Sequence, residues 1–324
     1  MKKKLGKYIS LLLTVLILIL FGLYIYRNPE ILTVLKDIEG EYLLIIVISF
    51  LIVFLLEGYF IKVTLLAFDR RITTKEAFYL STLSRVGNYL LPMRAGAVFR
   101  ATYLKKKYNF EYSKFLSTLY GYYIILFLLY SIFGVSSLFL KWWLNDQFYF
   151  TLILFFGGLL LAMLFLMFVR IPFDRIFKKE RSLFGKVAKF LDRFMKSWDN
   201  IVSNRKLLLQ LISITLANIL VNTIIIYFEF ISLGINVKVL DLILYGSLSG
   251  VSLLVSLTPG SLGIREAVFL ISSQSIGLEQ EQILQLAIVD RGILFFLLFF
   301  MMVFTFIFLK EFNLKEVFFA KKEV

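Results

Sequence analysis

Six stretches of this chain, 8–26, 42–68, 115–140, 148–169, 207–233 and 283–309, are almost purely apolar. A helix needs about 20 mostly apolar residues to cross the hydrocarbon core of a bilayer. Six runs near that length cannot all be buried in one aqueous core, so the chain is expected to fold within a membrane. Composition agrees. Apolar residues make up 60% of the 324 and charged residues 18%, against roughly 45–50% and 25% in soluble domains. The formal net charge is +14. On so apolar a chain that charge points to an anionic membrane surface and not to nucleic acid. Cysteine and histidine are both absent, which removes disulfides, Cys or His metal sites, cysteine nucleophiles and the Ser-His-Asp triad. Transport is therefore a better starting assumption than catalysis, and no cofactor or metal is expected.

The first stretch follows Lys2, Lys3, Lys4 and Lys7, as a signal peptide would. It is longer than the usual hydrophobic region of one and no small-residue cleavage site follows, so it reads as a retained first span. Two further segments are not simple spans. Segment 76–104 contains Arg85, Gly87, Asn88, Pro92, Arg94, Gly96 and Arg100, and segment 239–275 is interrupted by Thr258-Pro259-Gly260-Ser261-Leu262-Gly263. Non-helical backbone at membrane depth survives only when protein buries it or water lines it. Each break therefore predicts a re-entrant hairpin or a discontinuous helix.

Loop charge sets the expected topology, because cytoplasmic loops are enriched in Lys and Arg. Arg70, Arg71 and Lys75 precede the first broken segment and Lys105, Lys106 and Lys107 follow it, so it enters and leaves on the cytoplasmic side. Segment 170–206 has eleven basic residues against four acidic ones, while Glu279 and Glu281 follow the second broken segment. The expectation is an all-α polytopic protein forming one membrane domain over 1–324, with six spans, two opposed hairpins and both termini cytoplasmic. Its parts are a first unit at about 42–140, a linking span and amphipathic segment at 148–206, and a second unit at about 207–309. An offset of 259 − 92 = 167 superposes Pro92 on Pro259 and Gly96 on Gly263, and brings Leu66, Arg71, Ile72 and Phe78 onto Leu233, Lys238, Val239 and Tyr245. With one span between the units, the second is inverted, a recurring transporter design.

The segment Asn88-Tyr89-Leu90-Leu91-Pro92-Met93-Arg94-Ala95-Gly96, continuing to Arg100 and Leu104, resembles the first motif of the lysylphosphatidylglycerol synthase transmembrane, or flippase-like, family. Pro259 through Glu266 resembles its second motif, and Asp290-Arg291 a looser third. The resemblance implies an integral membrane protein that moves lipids between leaflets. Ala97 stands where that family usually has an acid, and Ser261 where it usually has a second glycine. The chain stops fifteen residues after Leu309, so the soluble aminoacyl-transferase domain of larger members, and its enzymatic activity, are not expected.

The residues themselves suggest chemistry. Helices starting after Pro92 and after Gly263 would offer unpaired N–H groups and a positive dipole end to an anion. Glycines such as Gly96, Gly260 and Gly263 would let a ligand approach the backbone. Arg94 and Arg265 sit at these two ends, where guanidinium can grip phosphate with two bonds. The alternative is that Arg94 reaches to headgroups and Arg265 pairs with an acid. Glu266 reads first as a helix cap. Asp290 and Arg291 diverge by about 100° on their helix, so their partners are sought elsewhere, with Arg265 and Glu266 as candidates. Glu57, with Lys62 nearby, and Arg85 suit structural ion pairs, and Arg85 suits the site equally well. Segment 181–202 reads as an amphipathic helix whose basic side faces an anionic cytoplasmic leaflet, or as a connector docked on the bundle.

Together these features point to translocation of an anionic or phosphate-bearing lipid, a phospholipid or polyprenyl phosphate. The candidate binding set is Arg85, Asn88, Arg94, Gly96, Arg100, Gly260, Gly263, Arg265, Glu266, Asp290 and Arg291. A secondary transporter of a small organic anion is the main alternative, and an accessory protein for lipid-linked glycan assembly is another.

Overall fold

The computed structural model describes residues 38–90, 94–146, 148–169, 183–255, 261 and 263–308, with positions 23, 26, 27 and 36. Almost all of the first apolar stretch thus lies outside the described residues. So do Pro92 and Met93 at the first break and Pro259, Gly260 and Leu262 at the second.

The described residues form an all-helical protein. In chain order the helices are α1 (Gly40–Leu66), α2 (Thr74–Leu90), α3 (Ala95–Tyr108), α4 (Tyr112–Asn145), α5 (Phe150–Phe168) and α6 (Leu183–Ser203). Then follow α7 (Arg205–Ser232), α8 (Val239–Ser252), α9 (Ile264–Ile271), α10 (Ser273–Ile276) and α11 (Gln280–Phe308). Five of these, α1, α4, α5, α7 and α11, are long and apolar enough to cross a membrane. Along α1 the residues Leu44, Ile48, Ile52, Leu55 and Tyr59 are exposed. Their spacing of three and four places them on one face, and Ile46, Phe50, Val53 and Phe54 are buried on the other side. An outward apolar stripe of this kind suits lipid, not water.

Local chemistry accounts for the helix ends. The side chain of Asn204 accepts the N–H of Leu207 at 3.1 Å and so caps α7. At its far end Gly234 adopts φ +69°, and Ile235 donates to the Phe230 carbonyl at 3.0 Å. That is the left-handed Schellman ending, for which glycine has no steric penalty. In the second broken segment, the helix that starts after Gly263 does not run unbroken to Ser275. It stops at Ser272, whose N–H is shared between the carbonyls of Val268 and Phe269, and α10 restarts for one turn before a left-handed Gly277.

Helix α1 packs most extensively on α7. Helix α4 lies against α5, α6 and α8, and α11 lies against α2. The first broken segment forms a tight helical hairpin. A Cβ on Gly96 would stand 1.8 Å from the Ser84 carbonyl oxygen, and one on Gly87 would stand 2.7 Å from the Gly96 Cα. These glycines set how closely α2 and α3 approach. Gly96 is thus a packing residue, not a point of backbone access for a ligand as the sequence suggested. Gly263, its partner by offset, instead precedes α9 with φ +80°.

An acid at the third residue of each hairpin's first helix anchors its base. Glu76 of α2 accepts hydrogen bonds from the hydroxyls of Tyr103 at 2.8 Å and Tyr108 at 2.6 Å, and from Lys107 at 3.1 Å. Asp241 of α8 pairs with the buried Lys141 of α4 at 2.5 Å. Lys141 also donates to the Ser275 carbonyl at the end of the second hairpin. Beside this pair, in the link between α4 and α5, burial holds the Tyr149 hydroxyl above its usual range, with the Asp241 charge adding to the effect.

Helix α6 does not lay its whole apolar face on a membrane. Trp198 is 1% exposed and sits against Gly121 of α4, with its ring 5.3 Å from that of Tyr120. The sequence pattern showed an apolar side but could not show that α4 covers it. The side chains of Arg193 and Lys196 remain exposed on α6.

Candidate functional site

A cavity of about 310 Å³ lies where α1, α2, α3, α4, α7, α8 and α11 converge. Of the residues singled out from sequence, Arg85, Asn88, Arg94, Arg100, Arg265, Asp290 and Arg291 all line it. They come from segments up to 206 residues apart (291 − 85), and only the fold brings them together. Tyr122, Tyr123 and Tyr130 of α4 form an aromatic wall, and Asn218 and Asn222 of α7 contribute amides. Gly260 is outside the described residues, and Gly96 supports the hairpin behind the cavity.

Three of the five lining arginines are neutralised by carboxylates. Arg85 grips Glu57 through Nε at 3.2 Å and through a second guanidinium nitrogen, an arrangement that replaces the nearer-in-sequence Lys62 as partner. Lys62 instead donates to the Thr74 hydroxyl at 3.0 Å. Arg265 pairs with Asp290, and Arg291 pairs with Glu266. Glu266 also accepts the Gly263 N–H at 2.8 Å. The N-terminus of α9 is therefore served by an internal carboxylate, the cap that the sequence suggested for Glu266.

Arg94 and Arg100 differ. Among the described residues neither has a carboxylate within ion-pair distance. Arg94 precedes α3 in a left-handed conformation, φ 53° and ψ 46°. Its guanidinium donates to the Leu253 carbonyl at the end of α8 and lies 4.6 Å from the Tyr123 ring centroid. This contact ties the turn of the first hairpin to the second. The Arg100 guanidinium lies 5.3 Å from the Phe115 ring centroid, and its buried Nε has no hydrogen-bond partner among the described residues. Nearby the Asn88 side-chain oxygen is likewise buried and unpartnered. Aromatic faces attract such cations, by about 0.5–2 kcal/mol each, but do not neutralise them. The cavity is thus electropositive on the side of the first hairpin and balanced on the side of the second.

Sequence reasoning missed Glu229, 1% exposed on α7 and facing Asp290. An acid inside an otherwise apolar run was the available signal. It also missed the tyrosine wall, because tyrosines in an aromatic-rich span carry no pattern that separates lining from lipid-facing positions.

No curated protein and no solved structure matches the chain. The family model described as the lysylphosphatidylglycerol synthase TM region matches residues 8–301. That match spans the helices that build the cavity, and the chain belongs to this membrane-domain family with its lipid-related role.

Proposed function

We propose that this protein translocates an anionic, phosphate-bearing lipid between leaflets, with the headgroup passing through the arginine-lined cavity. The observation that carries this reading is the pair Arg94 and Arg100, two cavity guanidiniums without a carboxylate partner among the described residues. A guanidinium inside a membrane costs several kcal/mol unless something neutralises it. A phosphate does so and offers oxygens for bidentate contact. The start of α3, which no described side chain caps, has Ala97 in the cavity lining and adds N–H groups of the same polarity. In this reading the chain moves a lipid made elsewhere and makes no bond itself. It acts in the cell membrane with both termini cytoplasmic, and the basic side of α6 faces an anionic leaflet.

An inverted repeat is part of the proposal. Its support is the pattern of packing: α1 and α7, the first helices of the two units, lie on each other. The last helix of each unit lies on the first hairpin arm of the other, α4 on α8 and α11 on α2. The acids Glu76 and Asp241 also hold equivalent places.

Two measurements test this. Proteoliposomes carrying labelled lipids should show accelerated movement of phosphatidylglycerol or a polyprenyl phosphate over phosphatidylcholine. Movement of a small organic anion with no lipid movement would favour a solute carrier instead. For topology, the chain lacks cysteine, so Thr74→Cys and Asn109→Cys serve as single reporters. Both should resist an impermeant thiol reagent added outside intact cells; labelling of Asn109→Cys alone would make α2–α3 a full crossing and end the inverted-repeat reading.

A further inference from the structure

Beside the site is a group that the proposed function leaves unused. Glu229 of α7 is buried, and its Oε1 has no hydrogen-bond donor among the described residues. Among the described residues no cation lies within ion-pair distance of it. The nearby guanidiniums are already engaged, Arg265 by Asp290 and Arg291 by Glu266. The groups facing Glu229 are Asp290 from α11, Arg265 from α9 and Tyr245 from α8. From α1, Glu57 is occupied with Arg85, and from α4, Tyr130 faces Arg265 and Arg85. Helix α6 meets α7 at Asn204, 229 − 204 = 25 residues from Glu229. The cluster therefore holds two guanidiniums and three carboxyls. Arginine does not give up its proton, so all three carboxyls cannot be ionised without leaving one buried negative charge unpaired. Such a charge costs several kcal/mol. One proton shared between facing carboxyls removes the excess and turns a repulsion into a strong O–H···O bond.

Resting on the lipid-translocation reading, we propose that Glu229 and Asp290 form a proton-carrying pair that couples movement of the anionic lipid to movement of one proton. The connection runs through Arg265. Its guanidinium lines the cavity and also holds Asp290. A phosphate that engages Arg265 competes with Asp290 for it, and a displaced Asp290 is neutralised by taking up a proton from water. At rest Arg265 and Arg291 balance Asp290 and Glu266 while Glu229 keeps its proton. With lipid bound, one negative charge and one proton have been added and the sum is unchanged. Anion and proton therefore bind with mutual support, and linkage makes that support reciprocal. Transport of the pair is electroneutral.

The test uses the full chain in phosphatidylcholine proteoliposomes with a trace of fluorescent phosphatidylglycerol. In the wild type, a gradient of one pH unit should drive the probe to about a tenfold asymmetry, as one proton per lipid requires. A potassium diffusion potential should have no effect. Asp290→Asn, which can take up no proton when the phosphate displaces it from Arg265, should lose the response to pH. If the wild-type probe moves but ignores the pH gradient, the coupling is wrong and the lipid reading survives. If it does not move at all, the lipid reading falls and the coupling with it. Infrared spectroscopy decides the proton separately: a protonated-carboxyl band in the wild type should vanish in Glu229→Gln, and its absence from the wild type would overturn the pair. Should either variant fail to insert, the wild-type gradient response and infrared band decide alone.

Discussion

Arg94→Ala should slow movement of anionic lipid about a hundredfold while leaving membrane insertion and the elution profile intact. Truncating one member of a buried charge contact costs about 2–5 kcal/mol, and a hundredfold corresponds to about 2.7 kcal/mol. Arg94→Lys should recover only part of the rate, since a point charge cannot reproduce the planar two-bond grip. The left-handed backbone at Arg94 allows a separation of causes. Arg94→Gly relieves that conformation while removing the same side chain, so it should fold at least as well as Arg94→Ala and transport no better. Recovery of transport in Arg94→Gly would show that the backbone, not the guanidinium, was at issue. Normal transport by Arg94→Ala would take this residue out of the site.

The largest expected loss of stability is at Gly96→Ala. The new methyl would fall 1.8 Å from the Ser84 carbonyl oxygen, and both partners are backbone, so no rotamer change offers relief. Overpacking costs about 1–3 kcal/mol and occasionally more, and this site belongs at the upper end. Gly157→Ala is the matched control, because nothing lies within 4 Å of its added Cβ. It should be neutral or stabilising by up to about 1 kcal/mol through helix propensity. Thermal unfolding in detergent, read by loss of the monodisperse peak, compares the two. Equal midpoints would mean that α2 and α3 do not approach as closely as described.

How much of this could be read from residues differs between the helices and the site. Hydrophobic length located the spans closely: stretch 42–68 became Gly40–Leu66 and stretch 207–233 became Arg205–Ser232. The Pro/Gly breaks located both hairpins. Side-chain partners were much less legible, because sequence distance says little about a bundle. Lys62 is five positions from Glu57, yet the partner is Arg85, 28 positions away. Glu229 looked like one more residue near the end of a span, and only burial beside Asp290 gives it a problem to solve. The amphipathic period of α6 was clear, but periodicity names an apolar face without naming what covers it.

Helix α4 can also serve as a ruler. Its 34 residues extend about 51 Å at 1.5 Å per residue, well beyond a hydrocarbon core of about 30 Å. Near one end Trp142 and Trp143 are exposed, as residues that settle at headgroup level are. Counting 143 − 123 = 20 residues back along the helix spans about 30 Å. With both ends of the helix at headgroup level it leans across the core, and Tyr123 lies 123 − 112 = 11 residues, about 16 Å, from its start. Arg94 lies over that ring, so a phosphate held by this arginine has already left the headgroup layer.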